Sequence, residues 1–85
     1  MNISIIGCGY VGLVTGACLS QVGNNVLCYD INTQKIKSLK KNNVDIFEPN
    51  LENIIENSQS SNKIRFTSSM KEAIKHGEII FICVG

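Results

Sequence analysis

The sequence predicts an α/β fold: a partial parallel sheet of about four strands in the order 3-2-1-4, with helices on both faces. Three observations point to it. Short β-branched runs alternate with segments of helical periodicity along the whole chain. Glycines cluster where the first strand gives way to the first helix. The run EIIFICVG at 78–85 is continuously apolar, as strands of a parallel sheet covered on both faces are. A chain of 85 residues allows one small domain or part of a larger one, and at 44% hydrophobic and 18% charged it has the composition of a folded protein.

Residues 2–6 (NISII) form the first strand, stopped at Gly7. Residues 10–22 follow without proline, with Val11, Val14, Cys18 and Val22 at helical spacing. Leu13 and Ala17 make the opposite side apolar too, so this helix should be buried nearly all round, ending at Gly23. Residues 25–29 are the second strand, with Asp30 at its C-terminal end. Asn32 caps a second helix running to about Lys41, with Ile36 and Leu39 as its inner face. A loop at 44–50 contains the only proline, Pro49, and Asn50 then caps a helix over 51–57. Residues 57–62 read as a polar linker. In 63–67, Ile64 and Phe66 alternate with Lys63, Arg65 and Thr67, which predicts a half-exposed edge strand. Ser69 and Glu72 form a capping box for a short helix to His76, which Gly77 stops before the final apolar strand.

The stretch Gly7-Cys8-Gly9-Tyr10-Val11-Gly12 is a GxGxxG pattern in the right surroundings. It follows a strand, it opens a helix, and Asp30 lies 18 residues after Gly12 at the end of the next strand. Gly7 permits the tight turn, Gly9 lets backbone N–H groups approach a pyrophosphate, and Gly12 brings the helix close to the sheet. The helix N-terminus adds free donors and partial positive charge. The pattern predicts a Rossmann-like dinucleotide site. The competing reading is a glycine-rich turn that binds nothing. A carboxylate at Asp30 accepts hydrogen bonds from the adenosine ribose and repels a 2′-phosphate, which favours NAD over NADP, while FAD uses the same fingerprint. Asp30 can also be read as a solvated strand-end acid. Lys35 sits in the first turn of the second helix, where the helix dipole disfavours a cation; on the residues alone it reads as a surface lysine.

A net charge of +1 with scattered Lys and Arg, and only five aromatics, gives no nucleic-acid footprint. The four cysteines, Cys8, Cys18, Cys28 and Cys83, form no CxxC pair and have no neighbouring histidine. They read as reduced thiols packed within apolar runs, with no metal site and a cytoplasmic setting. Cys8 and Cys83 should lie near the cofactor, but neither has a flanking base to activate it. The apolar N-terminus lacks the basic start of a secretory segment, since the first lysine is Lys35, and no membrane span is expected.

The segments ISIIGCGYVGLVTGACLSQVGNNVLCYDIN, IFEPNLENII, IRFTSS and IIFICVG resemble the N-terminal part of the UDP-glucose/GDP-mannose dehydrogenase family, and within it the UDP-glucose 6-dehydrogenases. The resemblance covers essentially the whole chain, with Gly9-Tyr10-Val11-Gly12 and Glu48-Pro49 in family order. It implies an enzyme that oxidises the C6 hydroxyl of a nucleotide sugar to a carboxylate in two NAD-dependent steps. It implies backbone contacts to NAD from Gly7, Gly9, Tyr10, Val11 and Gly12, Asp30 on the adenosine ribose, Lys35 close by, and Val84 and Gly85 beside the cofactor. The family's catalytic cysteine, lysine and substrate-binding residues fall downstream of position 85, so no catalytic residue is expected here, and the chain reads as a truncated piece of the NAD-binding domain. The family also implies a homo-oligomer. Two other readings stand beside this one: a non-catalytic module that responds to NAD, and an inactive gene remnant.

Overall fold

The structure, a computed structural model, describes residues 1–46 and 48–84. In chain order the elements are β1 (Asn2–Ile6), α1 (Tyr10–Gln21), β2 (Asn25–Tyr29), α2 (Thr33–Lys40), α3 (Leu51–Ser60), β3 (Ile64–Thr67), α4 (Met70–His76) and β4 (Ile79–Ile82). All pairings are parallel and the sheet order is β3-β2-β1-β4, the predicted arrangement.

The register sorts the sheet into two faces. Ile3, Val26 and Ile64 lie in one cross-strand row, and Ile5, Cys28 and Phe66 in another on the same face. All six are buried against Leu13 and Ala17 of α1, Ile36 and Leu39 of α2, and Leu51 and Ile55 of α3. Each Val, Leu, Ile or Phe side chain among them removed from water contributes roughly 1.5–3 kcal/mol. The opposite face carries α4, where the buried Ser4 hydroxyl donates to the Ala73 carbonyl at 2.6 Å. Helices therefore cover both faces.

Helix α1 is buried along one side only, not nearly all round as its apolar sequence predicts. Gly12, Leu13, Gly16, Ala17 and Ser20 are buried, while Val11, Cys18 and Val22 are exposed and Val14 is half-buried. The small residues explain this. A Cβ at Gly16 would stand 3.0 Å from Cys28 Sγ and 3.6 Å from the side chains of Ile5 and Val26, so the helix lies closer to the sheet than branched residues allow. Where α1 meets α3, the buried hydroxyls of Ser20 and Ser58 are 3.0 Å apart. Cys8 and Cys28 are buried as expected, but Cys18 follows the outer face of α1 into solvent.

Two caps form where the sequence predicts them: the Asn32 side chain accepts from Lys35 N–H at 3.1 Å, and Ser69 Oγ accepts from Glu72 N–H at 3.2 Å, but the capping box is only half made, since Ser69 N–H donates to Thr67 Oγ1 and not to the Glu72 carboxylate. Asn50 does not act as a side-chain cap, because its backbone is left-handed (φ 68°) rather than extended as a capping residue requires. Instead, the Glu48 carbonyl accepts from Leu51 N–H at 3.1 Å. Helix α3 runs three residues beyond the predicted 57, held by Ser58 against Ser20. Thr67 is buried rather than outward-facing, because its hydroxyl accepts from Ser69 N–H at 3.0 Å.

Strand β4 has the composition of an interior strand and the surroundings of an edge. It pairs with β1 on one side, yet Ile79, Ile80, Phe81 and Ile82 are 42%, 41%, 39% and 74% exposed. An apolar, unpaired edge invites pairing with another chain. Sedimentation velocity should therefore show association that grows with concentration, and Ile82→Lys should suppress it. A monodisperse monomer of the native sequence at every concentration would contradict this.

Candidate functional site

The site begins where β1 ends. Gly7 takes a left-handed backbone (φ 110°), and its N–H donates to the Tyr29 carbonyl at 2.8 Å, carrying the β1–β2 ladder one residue further. The chain then turns sharply into α1, whose first intrahelical bond runs from Leu13 N–H to the Gly9 carbonyl at 3.0 Å. The N–H groups of residues 9–12 precede that bond and have no intrahelical acceptor. No side chain caps them at Gly9.

The three glycines of the turn answer different demands. A Cβ at Gly12 would sit 1.8 Å from the Gly7 carbonyl oxygen, so the fold itself requires glycine there. A Cβ at Gly7 would lie 3.0 Å from the Cys83 backbone and 3.1 Å from Val84 Cγ1. Gly9 differs: its backbone (φ −76°, ψ −164°) suits any residue, and nothing lies within 4 Å of the missing Cβ. No described part of the protein occupies the space that a side chain at Gly9 would fill. Open space beside the uncapped N–H donors of a helix N-terminus fits the pyrophosphate of a dinucleotide.

Asp30 closes the site from β2. Its Oδ2 accepts from Cys8 N–H and its Oδ1 from Asn32 N–H, each at 2.9 Å. Partial burial resists the charge. The N–H groups of Asn32 and Cys8, the Lys35 cation and the Ile31 N–H outweigh it and lower the carboxyl's pKa below its ordinary value. The group is ionised at neutral pH and rigidly aimed. With about four acceptor sites on a carboxylate, lone pairs remain for ribose hydroxyls.

Gly7, Gly9, Tyr10, Val11 and Gly12 thus gather with Asp30 and Lys35 at the C-terminal ends of β1 and β2, and Val84 joins them just past β4. This is where the sheet order reverses about β1, the usual place for a ligand in an open α/β sheet. Gly85 lies outside the described residues. Tyr10 and Val11 are 53% and 59% exposed beside the turn.

Sequence reasoning missed two contacts. One is the Cys8–Asp30 bond, which ties the glycine turn directly to the acid. The other joins the Tyr10 hydroxyl to Glu48 Oε2 at 2.8 Å, across 38 residues of sequence. Glu48 also borders a concavity of about 600 Å³ shared with Val44, Asp45, Ile46, Pro49 and Glu52. Nothing in local periodicity signals either contact. Among the described residues no group of ligating side chains could hold a metal ion, and no helix is long and apolar enough to cross a membrane.

A parallel sheet with a glycine turn, an open helix N-terminus and a fixed strand-end carboxylate defines a dinucleotide-binding domain. Its family follows from comparison: the model of the UDP-glucose/GDP-mannose dehydrogenase family, NAD binding domain, matches residues 1–85, and the chain belongs to that family. The UDP-glucose 6-dehydrogenase of Rhizobium meliloti (strain 1021) is 41% identical over 85 residues, all of this chain and 20% of that protein. The GDP-mannose 6-dehydrogenase of Pseudomonas savastanoi pv. phaseolicola is also 41% identical, over all of this chain and 19% of its own length. Among solved structures, a ternary complex of GDP-mannose dehydrogenase from Pseudomonas aeruginosa superposes with a TM-score of 0.95 at 36% identity, covering all of this chain and 20% of that one. This chain spans about a fifth of the length of the relatives it matches.

Proposed function

We propose that this chain is the NAD-holding part of a nucleotide-sugar dehydrogenase that oxidises UDP-glucose to UDP-glucuronate in two NAD-dependent steps. The observation that carries this reading is the joint one at Gly9 and Asp30. Open space lies where a Gly9 side chain would go, beside the first N–H groups of α1, and a fixed carboxylate stands at the end of β2, in a chain that matches the family throughout. NAD, when bound, accepts the hydride. The residues here bind and orient it. The N–H groups of Gly9, Tyr10, Val11 and Gly12 hold the pyrophosphate, the Asp30 carboxylate accepts from the adenosine ribose, Lys35 stands close by, and Val84 borders the far side. The nucleotide sugar is bound, and the hydride removed, by parts of the enzyme outside these 85 residues, in a cytoplasmic homo-oligomer. UDP-glucose is favoured by the names of several relatives near 40% identity.

Titration calorimetry tests the cofactor assignment. Because these residues form only part of the cofactor's surroundings, NAD should bind with a dissociation constant of about 0.1–1 mM, roughly −5.5 to −4 kcal/mol. NADP should bind at least about tenfold more weakly, because its 2′-phosphate meets the ionised Asp30. No heat of binding with millimolar NAD, or equal affinity for the two, would overturn the assignment.

A further inference from the structure

The Tyr10–Glu48 contact joins two parts of the molecule that have separate tasks. Tyr10 is the first residue of α1, so its own N–H belongs to the group of free donors at the turn. Glu48 lies in the segment between α2 and α3. Its N–H donates to the Ile46 carbonyl at 3.1 Å, its carbonyl accepts from Leu51 N–H at 3.1 Å, and its carboxylate accepts from the Tyr10 hydroxyl at 2.8 Å. One residue thereby fixes the end of its segment, the start of α3 and the start of α1. Since Tyr10 is 53% exposed, the bond is no by-product of a buried ring. The bond and the neighbouring negative charge also raise the phenol above its ordinary pKa. The same Glu48, with Val44 and Ile46 before it and Pro49 and Glu52 after it, forms a wall of the 600 Å³ concavity.

We propose that Glu48 is a positioning residue: through Tyr10 it couples occupancy of the dinucleotide turn to the placement of residues 44–46 and 48–50 and the concavity they wall. The coupling rests on the cofactor assignment above, whereas the pin itself does not need it. A ligand held on the first N–H groups of α1 fixes the backbone of Tyr10, and the phenol passes that constraint to Glu48. Coupling between two sites is reciprocal, so releasing the segment must also weaken the ligand.

Residue-resolved amide exchange on the whole chain, with and without saturating NAD, tests this. Without ligand, Glu48→Ala and Tyr10→Phe should each speed exchange at positions 48 and 51, whose N–H groups bond the carbonyls of Ile46 and of residue 48, by roughly tenfold, the worth of one charge-assisted hydrogen bond. The double variant should be no faster than either single one. Glu48→Gln keeps an acceptor for the phenol and should restore most of the protection. NAD should slow exchange at 9–12 and at positions 48 and 51 in the native sequence. In Glu48→Ala it should still slow 9–12 while leaving 48 and 51 unchanged, a separation that a merely structural role would not produce. Native-like exchange at 48 and 51 in ligand-free Glu48→Ala overturns the pin. Protection by NAD confined to 9–12 in the native chain overturns the coupling alone. Protection at neither place overturns the cofactor assignment together with the coupling.

Discussion

Replacing Gly12 by Ala is expected to cost at least about 3 kcal/mol, a large share of the stability of so small a domain. The added methyl would lie 1.8 Å from the Gly7 carbonyl oxygen, 2.9 Å from the Gly7 carbonyl carbon and 3.3 Å from Ile5 Cγ2. The first two are backbone atoms and cannot rotate away. Either α1 lifts from the sheet, which uncovers Leu13 and Ala17, or the turn opens and the Gly7–Tyr29 hydrogen bond breaks. Gly9→Ala is the matched control, since open space surrounds its new methyl. Its stability should stay within about 0.5 kcal/mol of the native chain, as at an ordinary surface position. Its NAD affinity should fall at least about tenfold if the pyrophosphate approaches there as proposed. Urea unfolding followed by circular dichroism, with calorimetry for binding, separates the two. A Gly12→Ala chain that unfolds within 1 kcal/mol of the native one would refute the account of the turn.

Asp30→Asn is expected to remove two things at once. The side-chain amide can accept from only one of the two N–H groups, Cys8 or Asn32, and turns its own NH₂ towards the other. A donor left facing a donor in a site this open to water costs about 1 kcal/mol or less. The discrimination against NADP should also shrink to about threefold or less once the charge is gone. Acid behaviour provides a further check. The folded carboxyl has a lowered pKa, so its stabilising contribution is complete above the unfolded value of about 3.9 and is lost as pH falls through the lower folded value. The native chain should therefore lose part of its advantage over Asp30→Asn as pH falls below about 4. Unchanged cofactor discrimination in Asp30→Asn would remove the ribose role while leaving the structural one.

Much of this architecture is legible in the sequence because each signal is local. Asn32 and Ser69 cap their helices through bonds three residues long, and Ile36 and Leu39 turn inward together as their spacing requires. The strand order follows from the alternation of elements and the handedness of their crossovers. What escaped the reading was set by packing or by distance. Helix α1 is apolar on nearly every side, so periodicity could not choose between the Val11–Val14 side and the Gly12–Gly16 side. Close approach to Cys28 decides it. The left-handed Asn50 and the buried Thr67 depend on where neighbouring backbone runs. The Cys8–Asp30 and Tyr10–Glu48 contacts span 22 and 38 residues and exist only once the sheet has formed. The glycine pattern named the turn, but only the structure separates the glycines that the fold requires from the one that faces open space.

The placement of β1 between β2 and β4 also sets the order in which the chain can fold. One edge of β1 finds its partner about 23 residues later, at Asn25, whereas the other waits for Glu78 and Ile79, about 76 residues on. At a synthesis rate of about 5–20 residues per second, that second partner is made roughly 4–15 s after the first strand. A β1–α1–β2 unit can form early. Until α4 arrives, however, Ser4 lacks the Ala73 carbonyl that satisfies its buried hydroxyl. Strand β1 is thus made long before its second partner, and in that interval a nascent chain presents its open edge to chaperones and to other nascent chains alike.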